Sequence, residues 1–308
     1  GHPGRAAAVR QVFGTDPATD RQHQAAQLAL EGLLAVVVGG PGTGKTRTVA
    51  RLLAAAVVAT PGVQLALCAP TGKAAARMTD AVQAAVQQLA VESQVSAQAL
   101  DRLRDAQAVT VHRLLGRRRG GRMRHDRRSP LPHDLVIVDE TSMVDLPLMA
   151  SLLDALRPDA QLVLVGDPDQ LASVEAGTVV SDLVAPAPAD TPSVLAGRVV
   201  ELVVGHRFSA GSGIAELADA VRRGDPGTVL ALLADGREDV AMVSPEDADA
   251  VESLRAAVID GATDVALRAR AGDAQGAVDA ARRLKVLAAT RAGPWGLYEW
   301  SDLIEQGV

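Results

Sequence analysis

The chain of 308 residues is long enough for one large or two ordinary domains with real cores. Hydrophobic residues make up 48% of it, which excludes a disordered chain, and a single cysteine excludes an internal disulfide. The formal net charge of −6 means that any contact with nucleic acid must come from local basic patches. The first residues of the chain do not resemble a signal peptide, and no apolar run reaches the roughly 18 residues of a membrane helix. We therefore expect a cytoplasmic protein without a membrane partner.

Short β-branched runs alternate along the chain with longer alanine-rich stretches. The short runs predict strands at residues 35–38, 64–69, 134–138, 161–165, 198–203 and 284–288. The longer stretches predict helices at residues 21–32, 45–59, 73–89, 146–156, 213–222 and 274–283. Because most of the strand candidates are apolar on both faces, the predicted fold class is α/β, with a parallel sheet covered by helices.

Two segments interrupt this alternation. Residues 117–128 contain seven arginines and no apolar run, which is typical of an exposed loop; its arginines could equally contact DNA phosphates. Residues 185–192 contain three prolines and predict a linker between two lobes. The sequence therefore predicts a first domain at residues 1–184 and a second at residues 185–308.

A phosphate-binding motif lies between the first predicted strand and the helix at 45–59. It fits the pattern G-x-x-x-x-G-K-[ST] and consists of Gly39, Gly40, Pro41, Gly42, Thr43, Gly44, Lys45 and Thr46. The glycines let the backbone curl so that N–H groups point at phosphate oxygens, and the helix start adds partial positive charge. Lys45 can reach the β- and γ-phosphates, the Thr46 hydroxyl can ligate Mg²⁺, and Arg47 is expected beside the nucleotide. ATP and Mg²⁺ are thus the expected cofactors.

Two adjacent carboxylates stand at the end of the predicted strand 134–138. Asp139 is placed to hold Mg²⁺, and Glu140 is placed to polarise the water that attacks the γ-phosphate. Adjacent acids at a strand end can also be solvated loop residues. The phosphate-binding motif in the same chain favours the catalytic interpretation.

Residues 138–145, Val-Asp-Glu-Thr-Ser-Met-Val-Asp, closely resemble motif II of the RecD-like branch of superfamily 1 DNA helicases. Further motifs of that family occur in its order over nearly the whole chain. The resemblance implies an ATP-hydrolysing P-loop motor with a RecA-like first lobe at 1–184 and a partial RecA-like second lobe at 185–308.

Segments at two further strand ends resemble the family motifs that touch single-stranded DNA. Residues 69–75 resemble motif Ia, and residues 110–116 resemble motif Ib. The resemblance implies DNA contacts by Pro70, Thr71, Lys73, Thr110 and His112. For motif Ia, physical chemistry agrees, because a helix N-terminus after a strand exposes N–H groups to phosphate. An ordinary strand–helix turn with an exposed lysine remains the alternative.

Three other similarities concern the nucleotide. Residues 165–171 resemble motif III, in which Gln170 would sense the γ-phosphate and Asp167 would support the Mg²⁺ network. Gln22 is similar to the family's adenine-binding glutamine. Residues 206–208 resemble motif IV with His206 in place of a tyrosine, and Arg207 would stabilise charge on the γ-phosphate as an arginine finger does.

The chain also departs from the family. Residues 285–296 resemble a strand and turn of the second motor lobe, but no match to motifs V and VI follows, and the N-terminal region that joins the family's RecD to its partners is not seen. Because of these departures, the resemblance does not decide whether this chain hydrolyses ATP and unwinds DNA by itself.

The resemblance implies a 5′-to-3′ DNA helicase that acts as a subunit of a RecBCD-type exonuclease V complex in double-strand break repair, with RecB- and RecC-like partners. A stand-alone RecD-like helicase is the first alternative. A non-catalytic nucleotide-binding assembly subunit is the second, and a P-loop ATPase acting on proteins or small molecules is the third. Lys45, Asp139, Glu140 and Arg207 argue against the second, and motifs Ia, Ib and III argue against the third.

Overall fold

The computed structural model describes residues 3–14, 20–92, 95–118, 122–170, 179–185, 195, 197–202 and 212–308. The chain divides into two compact units, Gly1–Ala210 and Gly211–Val308. This division lies further along the chain than the predicted domain boundary at 184/185, which stays a prediction. The strand that we assigned to the second lobe belongs to the first unit, because it pairs with the strand that leads into the phosphate-binding motif.

The first unit is built on one six-stranded sheet. Its strands are β1 (Leu34–Val38), β2 (Leu65–Ala69), β3 (Ala108–Thr110), β4 (Leu135–Val138), β5 (Gln161–Gly166) and β6 (Val199–Glu201). They lie in the order β3-β2-β4-β5-β1-β6, and every pairing is parallel. The predicted α/β fold with a parallel sheet is confirmed. The sequence predicts all of these strands except β3, whose three residues are too few to form a pattern.

Helices cover both faces of this sheet. They are α1 (Pro3–Phe13), α2 (Arg21–Glu31), α3 (Lys45–Ala59), α4 (Gly72–Glu92), α5 (Ala97–Arg104), α6 (Val111–Leu114), α7 (Leu146–Ala155) and α8 (Val179–Val184). Side chains of Asp20, Ser96 and Asp145 accept N–H hydrogen bonds at the starts of α2, α5 and α7. Such N-caps satisfy backbone donors that have no partner within the helix.

The core has two layers, one on each face of the sheet, because successive residues of a strand point to opposite faces. In β1, Ala35 and Val37 pack with α1 to α5, whereas Val36 and Val38 pack with α7 and α8. All four side chains are buried. A strand buried on both faces explains the continuous apolar runs that the sequence shows.

The second unit consists, in its described residues 212–308, of helices without a strand. They are α9 (Gly213–Arg222), α10 (Pro226–Ala234), α11 (Ala248–Arg270), α12 (Ala274–Arg283) and α13 (Leu297–Gly307). The strand predicted at 284–288 is wrong: the segment forms no strand pairing, and Leu287 is 94% exposed. A strand needs a hydrogen-bonded neighbour, and residues 212–308 provide none. A partial RecA-like second lobe remains a prediction.

None of the described helices is long and apolar enough to cross a membrane.

Candidate nucleotide and DNA site

The phosphate-binding motif forms the turn between β1 and α3. Its two tightest points are Gly42, with φ 83°, and Gly44, with φ 85°, which lie in the left-handed region that favours glycine. The Thr43 hydroxyl donates a hydrogen bond of 2.9 Å to the carbonyl of Gly40. The loop is therefore held by its own hydrogen bonds and leads directly into α3.

The ammonium group of Lys45 lies inside this loop. It donates hydrogen bonds to the carbonyl oxygens of Gly39 and Gly40, the second at 3.0 Å. Lys45 and the half-buried Thr46 are the first two residues of α3. Their side chains thus stand at the N-terminal end of a helix, where free N–H groups favour anions.

Asp139 follows β4 directly and is half-buried. Burial raises the pKa of its carboxyl group from 3.8 to about 6. The hydrogen bond from the Glu140 amide, 2.9 Å long, and the charge of Lys45 lower this pKa, whereas the Glu140 carboxylate raises it. Carboxylate oxygens are ligands that divalent cations prefer, so Asp139 is a candidate ligand at this strand end.

Glu140 is the one non-glycine of the described residues with a positive φ, at 52° with ψ 41°. A left-handed conformation costs a residue with a Cβ roughly 1–2 kcal/mol. The chain then turns into a 3₁₀ helix at Thr141–Met143, whose Thr141 is fully buried. Backbone strain at a strand end is frequent at functional sites, where the surrounding structure enforces it.

Asp167 and Gln170 lie on the turn that follows β5. Asp167 is buried, and its carboxylate accepts hydrogen bonds from the Asp169 amide at 3.1 Å and from the Gln170 side chain at 3.4 Å. The carboxylate of Asp167 therefore shapes the turn that carries Gln170.

The sheet order brings these three loops together. Strands β4, β5 and β1 are consecutive neighbours, so their carboxyl ends place the Asp139 loop, the Asp167 turn and the phosphate-binding motif side by side. The Gly39 amide donates a hydrogen bond to the Gly166 carbonyl at 3.2 Å, which joins two of the loops directly. Ligands of open α/β sheets bind at this edge.

Motifs Ia and Ib lie at the ends of the neighbouring strands β2 and β3, where Ala69 pairs with Thr110. The hydroxyl of Thr71 accepts a hydrogen bond from the Ala74 amide, and that of Thr110 accepts one from the Arg113 amide, each at 3.2 Å. Both threonines thus cap helix starts. Lys73 is exposed in the first turn of α4, Pro70 precedes that turn, and His112 lies half-buried on α6.

Of the remaining predicted site residues, Gln22 and Arg47 lie in the first turns of helices, and Arg207 is not among the described residues. Gln22 stands in the first turn of α2, where its backbone N–H donates a hydrogen bond to the Asp20 carboxylate. Arg47 is exposed on α3 and borders a cleft with Gln88 of α4. Arg207 lies outside the described residues.

The arginine segment forms an ordered turn in its described part. The amide of Arg124 donates to the Leu115 carbonyl at 3.0 Å, and Asp126 and Ser129 form an antiparallel bridge. Arg117, Arg118, Arg122, Arg124, Arg127 and Arg128 are all exposed. Of these, Arg127 forms an ion pair of 2.8 Å with Asp154.

The AAA domain family model matches residues 22–176, half of the chain. The chain belongs to the AAA domain family. This match spans every strand end described above except that of β6.

This AAA domain chain is similar to RecD proteins over almost its full length. It is 45% identical over 306 residues to the RecBCD enzyme subunit RecD of Mycolicibacterium smegmatis, covering 97% of this chain and 51% of that protein. It is 44% identical over 303 residues to the RecBCD enzyme subunit RecD of Mycobacterium tuberculosis, covering 96% and 50%. The chain thus spans about half the length of these relatives.

A third relative is the ATP-dependent RecD2 DNA helicase of Deinococcus radiodurans. Identity is 34% over 264 residues, which cover 86% of this chain and 29% of that protein. The similarity to RecD proteins that the motifs indicate is confirmed by these three relatives.

Sequence reasoning did not single out two residues that support the site. Thr141 joins the ends of β4 and β5, and Leu202, which follows β6, lies against Gly39. The signal for Thr141 was a small polar residue directly after two acids. Leu202 gave no signal, because its role comes from a pairing between distant segments.

Proposed function

We propose that this chain is the motor portion of an ATP-driven DNA helicase that moves 5′ to 3′ as the RecD subunit of a RecBCD-type complex. The observation that carries the proposal is the placement of five loops at one sheet edge. The phosphate-binding motif, the Asp139 loop and the Asp167 turn lie on three neighbouring strands, and motifs Ia and Ib lie on the next two. A nucleotide site beside a strand-contacting surface is what a DNA motor needs.

ATP would bind with its phosphates over the loop of residues 39–46. Backbone N–H groups and the ammonium of Lys45 would take the place of water around the β- and γ-phosphates. Lys45 would then exchange its present carbonyl partners, Gly39 and Gly40, for phosphate oxygens. Glu140 would orient the attacking water with its carboxylate and accept its proton.

The residues at this edge suit Mg²⁺, which prefers hard oxygen ligands. The carboxylate of Asp139 and the hydroxyl of Thr46, both half-buried, would hold it. When bound, Mg²⁺ neutralises charge that develops on the phosphates.

The presence or loss of the γ-phosphate would change DNA contacts through loops carried by the same sheet. Gln170 would contact the γ-phosphate, and its turn is shaped by the Asp167 carboxylate. On the DNA side, Lys73, Thr71 and Pro70 at the start of α4, and Thr110 and His112 at α6, would contact the strand backbone. Arg207 would contribute the arginine finger from the following part of the chain, and Gln22 and Arg47 would contribute to nucleotide binding.

RecB- and RecC-like proteins and DNA ends are the proposed partners, in double-strand break repair in the cytoplasm. The two relatives of Mycolicibacterium smegmatis and Mycobacterium tuberculosis, both named RecBCD enzyme subunit RecD, are 45% and 44% identical over 97% and 96% of this chain, whereas the RecD2 helicase is 34% identical over 86% of it. The greater similarity to these two relatives favours a complex subunit over a stand-alone helicase.

The proposal is tested by measuring ATP hydrolysis by the full-length protein with and without single-stranded DNA. Wild type should be stimulated by DNA, Lys45→Ala should lose hydrolysis, and Lys285→Ala, in the second unit, should match wild type. Nucleotide binding without DNA-stimulated hydrolysis, both alone and with RecB- and RecC-like partners, would instead favour a non-catalytic assembly subunit.

A further inference from the structure

The side chain of Thr141 connects two of the loops at the nucleotide edge. It is fully buried, and its hydroxyl oxygen lies 3.0 Å from the carbonyl oxygen of Val138 and 3.0 Å from that of Val165. Val138 ends β4, and Val165 is the last residue but one of β5. One donated hydrogen is thus shared between the ends of two neighbouring strands.

Each of these strand ends leads into a loop of the proposed site. Asp139 and Glu140 follow Val138, and the turn of Asp167 to Gln170 follows Gly166. A hydroxyl that bonds both carbonyls links the start of the loop that carries Glu140 to the end of the strand that leads to Gln170.

The hydrogen bonds of the Thr141 hydroxyl also help to hold the backbone conformation of Glu140, the preceding residue. The left-handed Glu140 is immediately followed by Thr141, and the turn closes with amide hydrogen bonds of 3.0 Å from Met143 to Glu140 and from Val144 to Thr141. Because a residue with a Cβ does not favour the left-handed region, contacts on either side must hold it there. On the far side the Glu140 amide is held by the Asp139 carboxylate.

The turn also packs directly on β5. A Cβ added to Gly166 would lie 3.4 Å from the amide nitrogen of Ser142 and 3.5 Å from that of Thr141. The two loops therefore touch through backbone and are joined through one side chain.

We propose that Thr141 is a positioning residue that couples the Glu140 loop to the Gln170 turn, so that loss of the γ-phosphate at one is felt at the other. This inference rests on the proposed function for its effect on hydrolysis, but the coupling itself has a separate structural readout. A buried threonine that only fills space would support stability without coupling the loops.

The first test compares Thr141→Ser, which keeps the hydroxyl, with Thr141→Val, which keeps the shape, in the full-length protein. The expected result is a fall in kcat of about tenfold or more for Thr141→Val, with KM for ATP within about twofold. Thr141→Ser should retain kcat within about twofold. Should Thr141→Val not fold, Thr141→Ala against Thr141→Ser isolates the same hydroxyl.

A matched control is Thr79→Val. The Thr79 hydroxyl also bonds backbone, donating to Ala75 at 3.1 Å and accepting from Ala108 at 2.9 Å, but it lies on α4 away from the β4 and β5 ends. Thr79→Val should lower Tm and leave kcat near wild type below that Tm.

Hydrogen exchange gives the readout that does not need hydrolysis. In Thr141→Val, amides of residues 139–144 and 166–170 should both exchange faster, and in Thr141→Ser both should stay protected. Exchange that rises in one segment alone, or equal kcat in Thr141→Val and wild type, would overturn the coupling. A wild type without DNA-stimulated hydrolysis sinks the proposed function, while the exchange result still decides the coupling.

Discussion

The carbonyl oxygen of Leu202 lies directly over Gly39. A Cβ added to Gly39 would come within 2.8 Å of that oxygen and within 2.6 Å of the Thr43 hydroxyl. The first glycine of the phosphate-binding motif is therefore required by the strand neighbour β6 as well as by the loop.

Gly39→Ala should destabilise the protein by about 1–3 kcal/mol, because its neighbour is backbone that cannot move aside cheaply. It should also weaken nucleotide binding, since the loop must shift. Urea denaturation and titration with a fluorescent ATP analogue measure both effects. Gly62→Ala is the matched control, because a Cβ there meets nothing within 4 Å. Equal stability of the two variants would contradict the close approach.

Asp139→Asn should stabilise the protein in the absence of divalent cations. The pKa of Asp139 is raised from 3.8 to about 6, so the folded state holds a proton that the unfolded state releases between these values. Above pH 6 the carboxylate is ionised in the folded protein, and the free-energy cost of holding its charge partly away from water is fully present. Removing the charge should therefore add roughly 1–3 kcal/mol at pH 8 and less at pH 4.5.

Denaturant unfolding at the two pH values measures the effect of Asp139→Asn, and Asp154→Asn at the exposed ion pair with Arg127 is the control. The same variant should lose ATP hydrolysis, because a neutral amide is a poor ligand for Mg²⁺. A gain in stability that does not change with pH would mean that the buried charge is not its source.

Lys73→Ala should weaken binding of single-stranded DNA without loss of stability, because Lys73 is exposed in the first turn of α4. Removing one phosphate contact should reduce the slope of log affinity against log salt by about 0.7. Fluorescence anisotropy at several salt concentrations measures this slope, with Lys285→Ala as the control. Equal slopes for Lys73→Ala and the wild type would show that Lys73 of motif Ia does not contact a DNA phosphate.

Arg117→Ala combined with Arg118→Ala tests whether the arginine segment binds phosphate. If both arginines contact DNA, the salt slope should fall by about 1.4, twice the value for one phosphate of a single strand. The matched variant is Arg127→Ala, whose guanidinium is already paired with Asp154 at 2.8 Å. An unchanged slope in the double variant would make the segment a solvated loop.

Cys68 should be inert to thiol reagents while the protein is folded. It is fully buried on β2, and burial raises the pKa of its thiol from 9.0 to about 12, so almost no thiolate forms near neutral pH. Because it is the one cysteine of the sequence, labelling with DTNB reports its exposure alone. Labelling should follow the denaturation curve, and rapid labelling of native protein would show that β2 opens locally.

The sequence by itself determined the local features of the site. Spacing and residue type defined the phosphate-binding motif, the adjacent acids after an apolar strand, and five of the strands in the parallel sheet. These features are local, since a glycine-rich turn before a helix and an apolar run between turns depend on few neighbours. The helices at α3 and α7 are predictable for the same reason.

The tertiary structure alone decided what depends on pairing between distant segments. β6 joins β1 across more than a hundred and fifty residues, and the first compact unit therefore extends to residue 210. The segment 284–288 has the composition of a strand but no neighbour among residues 212–308, so it forms none. The left-handed Glu140 and the shared hydroxyl of Thr141 likewise follow from the meeting of β4 and β5. A strand and a strained turn exist only where another part of the chain supplies the hydrogen bonds, and that information lies in the fold.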